Sequence, residues 1–228
     1  QSYRIPGGPI HELSQKIINK VQNRFPKEYK PREEQGLLRR YSDITQVDMS
    51  SGNWLVLSSA NYFLEDAKDL CEIQGWYYQC KGINSVPLKL LLALNNWEHW
   101  RKGELLNHLE IKNIYEYLGD NVLVGFQKGK TLHSDAKYTL KECQDQHGLL
   151  TSNVWFESFN GLDPMTETYI RNMRANGETL NKNPRIKMST IHAAKGGEAD
   201  NVLLMQDLTG AAIETFSHDP DELHRLFY

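Results

Sequence analysis

Ile186-Lys187-Met188-Ser189-Thr190-Ile191-His192 and Val202-Leu203-Leu204-Met205 read as two short strands, joined by the loop Ala193–Asn201 with Lys195-Gly196-Gly197-Glu198 at its centre. Both segments have strand character. Earlier in the chain, Trp54-Leu55-Val56-Leu57 has the same character. Asn61 to Gln74 follows it with helical spacing and is closed by Gly75, placed where a left-handed cap residue belongs. Further back, Gly8 and Pro9 open a segment whose Ile10, Leu13, Ile17, Val21 and Phe25 recur at helical intervals. A polar connection through Pro26 and Pro31 leads out of it. Strand, helix and strand in this order predict an α/β fold with a parallel sheet.

Between these outer regions the pattern changes to short helices. Leu90, Ala93, Leu94 and Trp97 form one stripe, ended by Gly103. Asn107 and Glu110 have capping-box spacing ahead of Ile111, Ile114, Tyr115 and Leu118. Ser134 to Gln146 and Ser152 to Asn160 are further helical candidates. Asp163-Pro164 starts another, carrying Met165, Ile170 and Met173 up to Gly177. The expected organisation is therefore one α/β lobe from residues 1–84 and 184–228, interrupted by a small all-helical insertion over 85–183. Near the end, Asp219-Pro220-Asp221-Glu222 is a strong helix start. The sequence stops less than three turns later, as expected of a fragment.

The 228 residues carry a net charge of -3, which gives no strong basic field for nucleic acid or anionic membrane, though local phosphate contacts stay open. Apolar residues make up 39% and the mean hydropathy is -0.59, values that suit a chain with much surface, such as two lobes. The longest purely apolar run, Leu90–Leu94, is far below the roughly 18 residues of a spanning helix. The start Gln1-Ser2-Tyr3-Arg4 has no apolar signal region. Cys71, Cys80 and Cys143 form no CxxC pair, so a structural zinc site is not expected and a reduced, cytoplasmic setting is.

Three separated segments share a likeness. Gln1-Ser2-Tyr3-Arg4 resembles motif IV of the UvrD/Rep-type superfamily 1 DNA helicases. Thr190-Ile191-His192-Ala193-Ala194-Lys195-Gly196-Gly197-Glu198 resembles their motif V, with its T-x-H-x-x-K-G-x-E pattern. Glu222-Leu223-His224-Arg225-Leu226-Phe227-Tyr228 resembles the lead-in to motif VI, whose Thr-Arg core does not follow. The likeness covers residues 1–80 and 184–228 well and the middle only loosely. Gly197 departs from the pattern, because many relatives carry a bulky apolar residue there.

The resemblance implies a second RecA-like motor lobe of an ATP-dependent helicase or translocase. Its partners would be single-stranded DNA and the N-terminal RecA-like lobe of the same protein, with no membrane. Its cofactors would be ATP and Mg2+, held mainly by that other lobe. Phosphoryl transfer is catalysed by cations around the γ-phosphate. Arg4 would supply one, and Tyr3 would stack on the adenine. Gly196 would allow close backbone approach to the nucleotide, and Glu198 would accept a ribose hydrogen bond. Thr190 and His192 would hold the strand's phosphates, and Lys195 has an ambiguous part in the loop. Without Walker A, Walker B and motif VI elements, the chain alone is expected to be inactive. The alternative is a non-catalytic module, derived from such a lobe, that binds nucleic acid or docks a partner.

Two other features read as structural. Trp97 and Trp100 lie at helical spacing beside Leu90 and Leu94, so they are predicted to be core rather than a base-stacking platform. Gly125-Phe126-Gln127-Lys128-Gly129-Lys130-Thr131 imitates a phosphate loop but has three residues between its glycines where four are needed, which predicts a surface turn.

Overall fold

The computed structural model describes residues 5–25, 30–119, 121–124, 132–180 and 182–228. Tyr3, Arg4 and the 125–131 segment lie outside the described residues. The chain divides into two compact units, Gln1–Leu70 with Met188–Tyr228, and Cys71–Lys187. The segments 71–84 and 184–187, expected with the outer lobe, thus fall in the central unit. The fold is mixed α/β.

In chain order the elements are β1 (Pro6–Gly7), α1 (Pro9–Ile18), β2 (Arg32–Gln35), β3 (Trp54–Ser58), α2 (Glu65–Gln74), β4 (Tyr78–Cys80), β5 (Ile83–Asn84) and α3 (Leu88–Arg101). There follow β6 (Leu106–Asn107), α4 (His108–Tyr115), β7 (Lys137–Tyr138), α5 (Leu140–Gln146), α6 (Trp155–Ser158) and α7 (Pro164–Ala175). The last are β8 (Ile186–Thr190), β9 (Asn201–Leu204), α8 (Gly210–His218) and α9 (Pro220–Phe227). The main sheet has the order β5-β4-β8-β3-β9. Its β3–β9 pair is parallel, from Trp54 opposite Asn201 to Leu57 opposite Leu204. Its β4–β5 pair is antiparallel, so the sheet is mixed rather than wholly parallel as expected. Gly82, at φ 80, and Lys81, at φ 51, make the tight reversal that joins those two strands.

In the outer unit, Met49, Val56, Leu64, Ala67 and Met188 are buried. Helix α1 stops at Ile18, and the expected stripe does not continue: Val21 is buried but Phe25 is 89% exposed. The reason is a competing acceptor. Asp221, in the first turn of α9, takes the N–H groups of Gln22 at 2.9 Å and Asn23 at 3.0 Å, while Arg225 donates to the Asn23 carbonyl at 3.1 Å. These main-chain bonds hold the Asp221 carboxyl below its ordinary pKa.

The central unit is not all-helical. Strands β6 and β7 pair antiparallel, Leu106 with Tyr138 and Asn107 with Lys137. The helix expected from Ser134 therefore begins only at Leu140, where Thr139 and Glu142 close a capping box. The Ser152–Asn160 candidate shrinks to α6, because Thr151 accepts the Asn153 N–H through its hydroxyl and the Ser152 and Asn153 carbonyls accept from Arg101 and Trp97. The other helices follow the sequence signals. Asn107 caps α4 with Glu110, Asp163 caps α7 through Thr166, and Gly75 and Gly177 sit at positive φ beyond α2 and α7. Trp97 and Trp100 are core, 0% and 1% exposed, with edge-to-face packing. Their indoles donate to the carbonyls of Asn153 and Tyr138. No helix among the described residues is long and apolar enough to cross a membrane.

Candidate functional site

The carboxyl ends of neighbouring strands in the outer unit come to one place. The Ile191 N–H donates to the Ser58 carbonyl at 2.9 Å, and the Met205 N–H to that of Leu57 at 2.8 Å. Thr190 at the end of β8, Ser58 at the end of β3 and Leu204 at the end of β9 are thus neighbours along one rim. In open α/β sheets this rim is where ligands bind, because loops there are free of the ladder. Ser59 strengthens it by donating from its hydroxyl to the Asp207 carbonyl at 2.6 Å. Ser58, fully buried, donates to the carbonyl of Ala60 at 2.7 Å.

From this rim the segment after Thr190 turns sharply. The N–H of Ala194 donates to the Thr190 carbonyl at 3.0 Å, that of Ala193 to the Thr190 hydroxyl at 3.3 Å, and that of Gly197 to the Ala194 carbonyl at 2.7 Å. Thr190 is half-buried and its hydroxyl, while accepting from the loop, keeps its own hydrogen to donate. His192 and Lys195 are exposed. Gly196 sits at φ 84 in open space, with no atom within 4 Å of where a Cβ would stand. A Cβ on Gly197 would stand 3.0 Å from the Ala194 carbonyl oxygen and 3.6 Å from Leu55 Cδ2. The glycine that departs from the helicase pattern is therefore the one lying closest over β3.

The loop ends at the opposite end of β3. Asn53 donates from its side chain to Asp200 at 2.8 Å, and its carbonyl accepts the N–H of Asn201 at 3.0 Å. From Asn53 to Ser58 a strand rises about 16 Å. Thr190 and His192 thus belong to the rim, whereas Glu198, exposed and two residues before Asp200, belongs near the other end of the crossing. The expected site residues are one continuous loop but not one cluster. Tyr3 and Arg4, expected beside Gly196 and Glu198, lie outside the described residues.

Sequence reading missed Ser58 and Ser59, and it ran the turn after them into the helix expected from Asn61 to Gln74, which as an α-helix begins only at Glu65. That turn, Asn61–Leu64, is a 3-10 helix carrying Tyr62, 58% exposed, with its ring 4.2 Å from that of Phe63. The available signal was the Ser-Ser-Ala-Asn run directly after an apolar strand, a composition typical of a strand-end loop. Among the described residues no group of three or more His, Cys, Asp or Glu side chains is placed to hold a metal ion. No protein-family model, curated protein or solved structure matches the chain.

Proposed function

We propose that this chain is the second, RecA-like motor lobe of an ATP-dependent helicase or translocase acting on single-stranded DNA. One observation carries the reading: Thr190-x-His192-x-x-Lys195-Gly196-x-Glu198 leaves the carboxyl rim at Ser58 and crosses β3 to its far end at Asn53. A connection of this kind lets the Thr190–His192 end meet a strand's phosphates while the Glu198 end meets a different ligand. Coupling two ligands through one short stretch of main chain is what a motor requires. The mixed α/β fold and the parallel β3–β9 pair support a RecA-like lobe without specifying it.

Magnesium-ATP is the fuel in this reading, and it supplies the phosphoryl group whose transfer drives movement. The residues present fit a place at the border of such a nucleotide. Gly196 is open on its Cα side, so a ligand can approach the backbone there. Glu198 presents an exposed carboxylate able to accept from a ribose hydroxyl. Thr190 can donate to a phosphate oxygen, and His192 can donate from a ring nitrogen.

The test is single-strand binding by the purified chain, followed by fluorescence anisotropy at one fixed, low salt concentration. Thr190 and His192 act as hydrogen-bond donors to phosphate, and two such bonds are together worth about 1–3 kcal/mol. Thr190→Ala with His192→Ala is expected to weaken binding at least about fivefold, while Glu198→Ala leaves it unchanged. A double variant that keeps full affinity overturns the strand-gripping role and, with it, the motor reading.

A further inference from the structure

The central unit contains a cleft of about 560 Å³ that the proposed motor function does not use. One wall is a face of α3: Leu88, Leu91, Leu92, Asn95, His99 and Lys102 recur at three- and four-residue intervals. The opposite wall comes from Arg174 at the end of α7 and from Thr179 and Leu180 just beyond it. The spacing makes the cleft a trough. From Leu88 to Lys102 it follows the helix for about 21 Å at 1.5 Å per residue. Its floor is apolar at the Leu88 end, where Leu88 and Leu92 remain 54% and 47% exposed although they stand one turn apart on the same face. Towards Lys102 it becomes basic.

The charges in the trough are unbalanced in one direction. Its acids are already engaged with the protein: Glu98 accepts from Arg101 at 2.7 Å and from the Trp155 N–H at 3.0 Å, and Glu178 accepts from Arg185 at 2.6 Å. His99 is paired with Glu104. Among the described residues neither Lys102 nor Arg174 makes an ion pair or hydrogen bond through its side chain. Arg174 is half-buried, its guanidinium carbon 5.3 Å from the centre of the Trp155 ring, and burial draws its pKa below the ordinary value against the attraction of Glu98. A half-desolvated cation without a bonded acid attracts an anion more strongly than a surface one. A long open groove, apolar at one end and cationic at the other, matches an amphipathic helix laid along it. A small molecule would need enclosure on most sides.

We infer that the α3 trough docks an acidic amphipathic helix of a partner protein. Leucine-like side chains of the partner lie on Leu88, Leu91, Leu92 and Leu180, and its carboxylates reach Lys102 and Arg174. The surface is independent of the Thr190–Glu198 loop, so it stands or falls separately from the motor reading.

The probe is a capped synthetic helix of about 14 residues, the length of the trough, with leucines at helical spacing in one half and glutamates in the other. A second peptide replaces the glutamates by lysines. Both are titrated against the full chain by fluorescence anisotropy. The acidic peptide is expected to bind saturably and at least roughly tenfold more tightly than the basic one. Lys102→Glu, on an exposed side chain, is expected to weaken it about fivefold in a salt-sensitive way. Leu92→Glu, also exposed and compatible with folding, is expected to weaken it at least about tenfold at every salt concentration. Equal binding of the two peptides, or an unaffected Leu92→Glu variant, overturns the assignment. So does concentration-dependent self-association of the chain, in sedimentation, that Leu92→Glu abolishes, because the occupant is then a second copy.

Discussion

Gly75 and Gly196 are both glycines at positive φ, 68° and 84°, yet they sit in regions built on different terms. A Cβ on Gly75 would stand 2.5 Å from Asn172 Cβ and 2.7 Å from the Asn172 carbonyl carbon, in a corner where Asn176 also donates to the Gly75 carbonyl. A Cβ on Gly196 meets nothing. The difference extends to their neighbourhoods. Around Trp97, two indoles and Phe159 interlock, and both indole N–H groups reach main-chain carbonyls. Along Thr190–Glu198 the turn is held mainly through the backbone, with the half-buried Thr190 hydroxyl accepting the Ala193 N–H. One region closes its side chains into a core and the other leaves His192 and Lys195 exposed to solvent.

The sharpest way to break this comparison is Trp97→Ala. Loss of a fully buried ring and its hydrogen bond is expected to cost about 3–5 kcal/mol, read from urea unfolding, and a cost near zero would mean the cluster is not a packed core. Gly75→Ala adds steric conflict to the left-handed backbone and is expected to cost about 2–3 kcal/mol. Gly196→Ala carries the backbone penalty alone, about 1–2 kcal/mol; parity between the two glycines would erase the distinction. Smallest of all, Thr190→Ala with His192→Ala is expected to cost about 0.5–1 kcal/mol, through loss of the Thr190 hydroxyl that accepts the Ala193 N–H. A larger loss there would make the loop structural.

A pH experiment sharpens the picture within the outer unit. Asp221 has its pKa lowered by the Asn23 and Gln22 N–H groups, so its contribution is present above the unfolded carboxylate's pKa, about 4, and is lost as pH falls further. Hydrogen exchange at Gln22 and Asn23 is expected to quicken, relative to other amides, below that pH. Asp221→Asn is expected to remove this acid-dependent step. An acid-dependent loosening that persists in the variant assigns it to another group.

Where a local signal and its tertiary partner coincide, the sequence was readable. Asn107 with Glu110 and Asp163 with Thr166 form the caps their spacing predicts, and Trp97 and Trp100 are core. It was unreadable where a distant group won. Nothing near Val21 announces that Asp221 claims the next two N–H groups. Strand β2 is exposed at every residue, and so carried no hydrophobic period to detect. Helix α8 begins at Gly210, and only the Thr209 hydroxyl, accepting from Ala212, marks its start. Of the candidate site, the loop was legible as a contiguous motif. The rim formed by Ser58, Ser59 and Thr190 was not, since sheet order brings together residues more than a hundred positions apart in the chain.

The free cysteines give the chain a built-in clock for its own opening. Cys71 and Cys143 are buried, and burial pushes their thiols up to about 12 and about 11, whereas Cys80 is only half-buried. Thiolate is the form that alkylating reagents capture. At neutral pH a maleimide therefore marks Cys80 first, and the delayed arrival of the second and third labels times how often the interior around α2 and α5 comes apart.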